Sequence, residues 1–108
     1  MEGIAPWALH RFADEHAAQL VKPGVGGQAQ STGWVCAQLV KPATQARRCA
    51  YADVMQPGSS GAAAVGRATV FASHAWGNPF PDLVAALEAA LSPDDFVWLD
   101  IFTVRWQY

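Results

Sequence analysis

The amino-acid sequence predicts an α/β fold: a single βαβ unit in the second half of the chain, preceded by a small helical leader. Three observations carry this. Ala68 to Ser73 is a continuous apolar run that ends in the polar and aromatic cluster His74-Ala75-Trp76-Gly77-Asn78-Pro79, as a strand buried on both faces would. Leu83, Val84, Leu87 and Leu91 then recur at helical spacing. Phe96-Val97-Trp98-Leu99 comes next, rich in residues that suit a pleated buried surface. A strand, a crossover helix and a strand of this size form a parallel, right-handed unit in nearly all cases.

Each element has its own signals. Pro6 suits a first helical turn, and Leu9, Phe12, Ala13, His16, Ala17, Leu20 and Val21 recur at helical spacing until Pro23-Gly24. His10, Arg11, Asp14, Glu15 and Gln19 fall mainly on the wet side of this helix. The segment from Gly24 to Gln30 is a flexible connection. Its Gly-x-Gly-x-x-Ala pattern comes after a helix end where a dinucleotide fingerprint needs a strand. Ser31 or Thr32 can cap a second helix carrying Val35, Cys36, Leu39 and Val40 as far as Pro42. A shorter helix is expected around Tyr51 to Met55, and Gln56 to Gly61 is a loop. The hexapeptide from Ala18 to Pro23 returns unchanged from Ala37 to Pro42, and each copy reads as a helix stop. Pro79, Pro81 and Asp82 mark the start of the crossover helix, and the run from Ser92 to Asp95 ends it. The organisation expected is a helical leader over 1–56, a loop over 57–66 and an α/β part over 67–108, with the sheet cut off after its second strand.

Composition narrows the function. A hydrophobic fraction of 52% with 15% charged residues describes a chain that folds, not a disordered one. The net charge of -2, with Arg47-Arg48 as an isolated basic doublet, gives no footprint for a nucleic-acid backbone, so no nucleic acid is expected as a partner. No apolar run approaches the roughly 20 residues of a membrane span, and the start of the chain lacks the pattern of a secretion signal. No membrane partner is expected, and the location expected is cytoplasmic. Cys36 and Cys49 are expected as reduced, partly buried thiols. Neither a Cys-x-x-Cys nor a His-x-x-x-His pair is present, and no metal or cofactor is expected.

Open α/β sheets gather ligands outside the carboxyl ends of their strands. That rule selects Ser73, His74, Trp76, Asn78 and Asp100 as candidate ligand-binding residues. Asp100, which ends the second strand, suits either a ribose hydroxyl or a turn cap. Trp76, trailed by Gly77-Asn78-Pro79, suits a loop, whereas Trp98 suits the core. Ser73, His74 and Asp100 together suggest a nucleophile, a base and an orienting acid. Adjacent residues of an extended strand point to opposite faces, however, which sets Ser73 and His74 apart and favours a structural or ligand-lining role over catalysis.

The stretch from Val70 to Gly77, taken with Val97-Trp98-Leu99-Asp100-Ile101-Phe102, resembles the opening of Toll/interleukin-receptor-like domains of a divergent type found in algae and other protists. The upstream Val40 to Thr44 and Arg48 to Asp53 resemble the leader that precedes such domains. The resemblance implies a partial flavodoxin-like parallel sheet, with Ser73 and Asp100 at the family's serine and acidic positions. It implies protein association in signalling, through the sheet edge and the helix over 82–91, with self-association or a like domain as partner. Family members that hydrolyse NAD use a glutamate in a later helix, and Glu88 is not that residue. The chain is thus expected to be a truncated and inactive fragment. The alternatives are the front part of an NAD-cleaving enzyme whose glutamate lies beyond residue 108, and an incomplete product without function.

Overall fold

The computed structural model describes residues 1–24 and 26–106. Val25 of the predicted connection and residues 107 and 108 at the end of the expected α/β part lie outside them. Four short strands, β1 (Glu2–Ile4), β2 (Val65–Arg67), β3 (Val70–Phe71) and β4 (Val97–Trp98), form one sheet in the order β2-β1-β4-β3. β3 and β4 run parallel with Val70 opposite Val97 and Phe71 opposite Trp98, while β1 is antiparallel to both β2 and β4. The fold is α/β with a mixed sheet, and the predicted strand, helix and strand are present as β3, α4 (Phe80–Ala90) and β4.

The leader is not helical throughout. Its first residues form β1, which lies inside the sheet, bonded to β2 on one side and β4 on the other. Gly3 and Gly66 lie opposite each other in this pairing, and Phe96 explains both. A Cβ on Gly3 would come within 2.8 Å of the Phe96 backbone, and one on Gly66 within 2.7 Å of the Phe96 ring. Gly3 leaves space for the Phe96 backbone and Gly66 for its ring.

The first strand of the βαβ unit is shorter than the predicted run from Ala68 to Ser73. Nor is it buried on both faces, since Phe71 is 63% exposed. β2 and β3 are two parts of one stretch, interrupted at Ala68 and Thr69, that changes partner along its length. The N–H groups of Ala68, Val70 and Ala72 donate in turn to the carbonyls of Met1, Phe96 and Trp98. Alternation then turns the backbone N–H and C=O of Phe71 towards the free side of the stretch.

The described residues also form five α-helices: α1 (Pro6–Glu15), α2 (Thr32–Val35), α3 (Lys41–Thr44), α4 and α5 (Asp100–Thr103). α1 stops six residues before Val21, the last of the predicted helical positions. The His16 ring bonds back to the Phe12 carbonyl at 2.8 Å, and the chain turns under the buried Leu20 into a bridge between Val21 and Ala29. Gly24, Gly26 and Gly27, at φ of 111°, 100° and 55°, make the reversal possible.

The second helical run passes through Pro42 without stopping. Ser31 caps α2 by accepting from the Trp34 N–H, and a π-helical turn over Cys36–Val40 joins α2 to α3. In this wide turn the Lys41 N–H reaches back to the carbonyl of Cys36, five residues earlier, and Pro42, which has no N–H to give, comes directly after it. The run closes at Arg48, which adopts φ 51°. Beyond it lies a 3₁₀ turn over Tyr51–Val54, where a short helix is predicted.

The core lies where these helices meet one face of the sheet. Phe12 is its centre, with rings of Tyr51, Phe80 and Phe102 packed edge-on at 5.2, 5.8 and 4.9 Å. Ile4, Val97 and Leu99 from the sheet and Val84 and Leu87 from α4 complete it, all buried. The Cα radius of gyration, 13.4 Å, matches the ~13 Å of a domain near this length, so the leader packs on the α/β part rather than beside it. Among the described residues no helix is long and apolar enough to cross a membrane. Cys36 is buried, Cys49 is half-buried, and neither forms a disulfide.

Candidate functional site

The parallel pairing of β3 and β4 makes the two strands end side by side. With Phe71 opposite Trp98, the residues after each strand emerge at the same end of the sheet, and His74 meets Asp100 there. Asp100 is the first residue of α5, directly after the buried Leu99. His74 Nε2 lies 2.7 Å from Asp100 Oδ1, with the His74 side chain 5% exposed and that of Asp100 31% exposed.

Hydrogen bonds to β4 and to the first turn of α2 hold the loop that carries His74. The Ala72 N–H still donates to the Trp98 carbonyl, which ties the chain to β4 up to the residue before Ser73. Beyond it, the carbonyls of Trp76 and Asn78 accept from the N–H groups of Gly33 and Thr32 at 2.8 and 2.9 Å. The Thr32 hydroxyl also donates to the Asn78 carbonyl. A Cβ on Gly33 would come within 3.3 Å of the Trp76 carbonyl, so the first turn of α2 meets the loop closely.

The result is a cleft of about 440 Å³ beside the start of α4, lined by Ser73, His74, Asn78, Thr32 and Asp82 among others. Of the five residues selected from the sequence, Ser73, His74 and Asn78 line it. Trp76 and Asp100 do not; both contact His74 instead. The Trp76 ring meets the His74 ring edge-on at 4.6 Å and the Trp106 ring at 5.8 Å, and is itself 39% exposed. Trp98 is half-buried, with its ring 6.1 Å from that of Phe71. The sequence does not single out Thr32 or Asp82, since the leader and the first turn of a crossover helix carry no pattern that points to a strand end.

A carboxylate oxygen accepts only, so Nε2 carries the proton shared with Asp100. His74 Nδ1 is buried and, among the described residues, has no hydrogen-bond partner. An imidazole fixed through one nitrogen leaves the other to form a hydrogen bond with a ligand. Ser73 does not supply one: among the described residues its hydroxyl makes no hydrogen bond, and the nucleophile contact that a triad needs is missing. No group of three or more His, Cys, Asp or Glu that could hold a metal ion occurs among the described residues.

Cys36, in the π-helical turn, has a thiol held above its ordinary range, mainly because burial disfavours the thiolate and only partly offset by Lys41. It is a packed thiol whose burial disfavours the reactive thiolate.

Compared with protein-family models, curated proteins and solved structures, the chain matches none.

Proposed function

We propose that this chain is a Toll/interleukin-receptor-like association module of signalling, which binds a like domain, a second copy of itself included, through β3 and α4. The observation that carries the reading is Phe71, a large aromatic residue 63% exposed on a strand that has a neighbour on one side only. An unpaired edge with apolar side chains is a template for pairing with another strand. A strand that pairs with its own copy is self-complementary under a two-fold axis, as a symmetric dimer requires. The outer face of α4 adds to the surface, because Ala85, Ala86, Ala89 and Ala90 are exposed and impose little side-chain entropy cost on packing.

The test is the Phe71→Lys substitution, combined with sedimentation over a range of concentrations. A charge on an edge strand blocks pairing and leaves the fold intact, because this side chain is mostly in water already. The parent chain should associate as its concentration rises, and the variant should remain monomeric with unchanged thermal unfolding. A parent chain that is monomeric throughout overturns the reading.

A second reading, ligand binding in the manner of the family's NAD-cleaving members, is favoured by the unpartnered Nδ1 of His74 beside the cleft. NAD-induced NMR shifts at Ser73, His74 and Asn78 are required by this reading and not by the first.

A further inference from the structure

On the side of the second helical run, a different cleft of about 490 Å³ is lined by Lys41, Gln45, Arg48 and Trp106. The first three recur at spacings of four and three residues and therefore share one face of a helical run. Two of them are cations, on a chain whose net charge is -2, and among the described residues neither takes part in a salt bridge. The place of Arg48 at the C-terminal end of the run suits the helix dipole, whereas Lys41 lies about two turns earlier. The dipole does not account for the tryptophan across from them.

Trp106 is a fixed wall. Its indole N–H donates to the Ile101 carbonyl at 3.2 Å, its ring meets that of Trp76 edge-on, and the Lys41 ammonium stands over it, 5.7 Å from the centroid. A ring held in place before a ligand arrives loses little freedom when one binds. Arg48 is also unusual, because it closes the helical run at φ 51°, the position that favours glycine or asparagine. A cationic side chain is kept there at a conformational cost.

We infer that this cleft binds a mononucleotide. Lys41 and Arg48 supply two positive charges for a phosphate monoester, which is close to a dianion at neutral pH. Gln45 offers both a donor and acceptors to a base edge or a sugar hydroxyl. Trp106 supplies an aromatic surface of the kind on which any base stacks. The volume falls within the range of small-molecule sites, roughly 300–1,000 Å³. This site shares no lining residue with the cleft at His74 and does not depend on the association reading.

The experiment titrates the full chain with AMP, inorganic phosphate and adenosine in separate series, monitored by NMR of the backbone amides and the indole N–H groups. AMP should bind saturably and at least about ten-fold more tightly than phosphate or adenosine alone, because each half lacks the other's contacts. Shifts should concentrate at Lys41, Gln45, Arg48 and the Trp106 indole. Lys41→Gln and Trp106→Ala should each weaken binding about five-fold or more, and Trp106→Phe should retain part of it. Arg48→Gly is the variant that keeps the proposal testable if the others unfold, since φ 51° suits glycine; it should fold normally and lose AMP. Equal affinity for AMP and phosphate, shifts confined to the His74 cleft, or undiminished binding by Arg48→Gly would each overturn the inference.

Discussion

His74 brings the stability and the chemistry of the site into opposition. Its ring is nearly buried, one nitrogen is satisfied by Asp100, and the other has no partner among the described residues. A buried polar atom without a partner costs about 1–3 kcal/mol, so the histidine is a poor choice for packing alone. Asp100 limits the damage by satisfying Nε2. Replacing it by alanine should leave both nitrogens unpaired and destabilise the fold by about 1–3 kcal/mol. Asp100→Asn keeps a carbonyl oxygen that accepts from Nε2, and should cost clearly less. Urea denaturation of the two variants checks the order; equal losses would show that the hydrogen bond contributes little. At this scale the sequence is partly legible. Ser73, His74 and Asp100 come from the rule that strand ends carry sites. The pairing of His74 with Asp100 depends on strand register, and the part played by Thr32 on contact between residues more than forty positions apart.

Elements respond to context as much as to local pattern. The same six residues form turns and a bridge as Ala18 to Pro23, and a π-helical turn leading into α3 as Ala37 to Pro42. Lys-Pro is succeeded by glycines in the first copy and by Ala43-Thr44 in the second. In the second copy the Thr44 hydroxyl donates back to the Val40 carbonyl at 2.9 Å and braces the turn around the proline. The proline alone marks a helix stop in both copies, but the residues after it decide whether the helix ends there. α4 and β4 are legible because periodicity and composition agree over their length. β1 is not: three residues with a central glycine have no alternation to read, and the strand exists because Phe96 and β2 accept it. Gly66 tests that account. A methyl group there would enter the Phe96 ring, and either the ring or the sheet must move, so Gly66→Ala should destabilise by about 1–3 kcal/mol. The same change at Gly61 meets no atom within 4 Å, but its φ of 84° adds backbone strain, so it is not a clean control. Gly77 is open on both counts, and Gly77→Ala should be close to neutral; thermal melts of the Gly66→Ala and Gly77→Ala variants check the contrast.

At the scale of the whole molecule, the leader is joined to the α/β part by more than the core: β1 pairs with β4, and the N–H groups of Thr32 and Gly33 donate to the carbonyls of Asn78 and Trp76. Within the leader, Arg11 donates to the Gln56 carbonyl at 2.8 Å and stacks over Trp7, which seals the end of the 3₁₀ turn onto α1. On the opposite flank, His10 of α1 pairs with Glu88 of α4 and with Asp14 one turn along its own helix. Glu88, the polar residue of an otherwise alanine-rich outer face, thus serves to hold the two helices together. This link is sensitive to pH. The Glu88 hydrogen bond, and after it the charges of Asp14 and Glu88, raises the His10 pKa above the ordinary histidine value of 6.5. A group whose pKa is higher in the folded state contributes stability that is fully present below its unfolded value and is lost as pH rises through the folded one. The contribution of His10 should therefore be complete below about pH 6.5 and fade above it. An NMR titration should place the His10 midpoint above 6.5, with the resonance identified by its absence from His10→Gln. Glu88→Gln should return the midpoint towards 6.5 and leave only the pull of Asp14. A His10 midpoint unaffected by Glu88→Gln would mean that the two helices are not coupled through this pair, and that the β1 pairing, the hydrogen bonds of Thr32 and Gly33, and apolar packing join the leader to the rest of the fold without it.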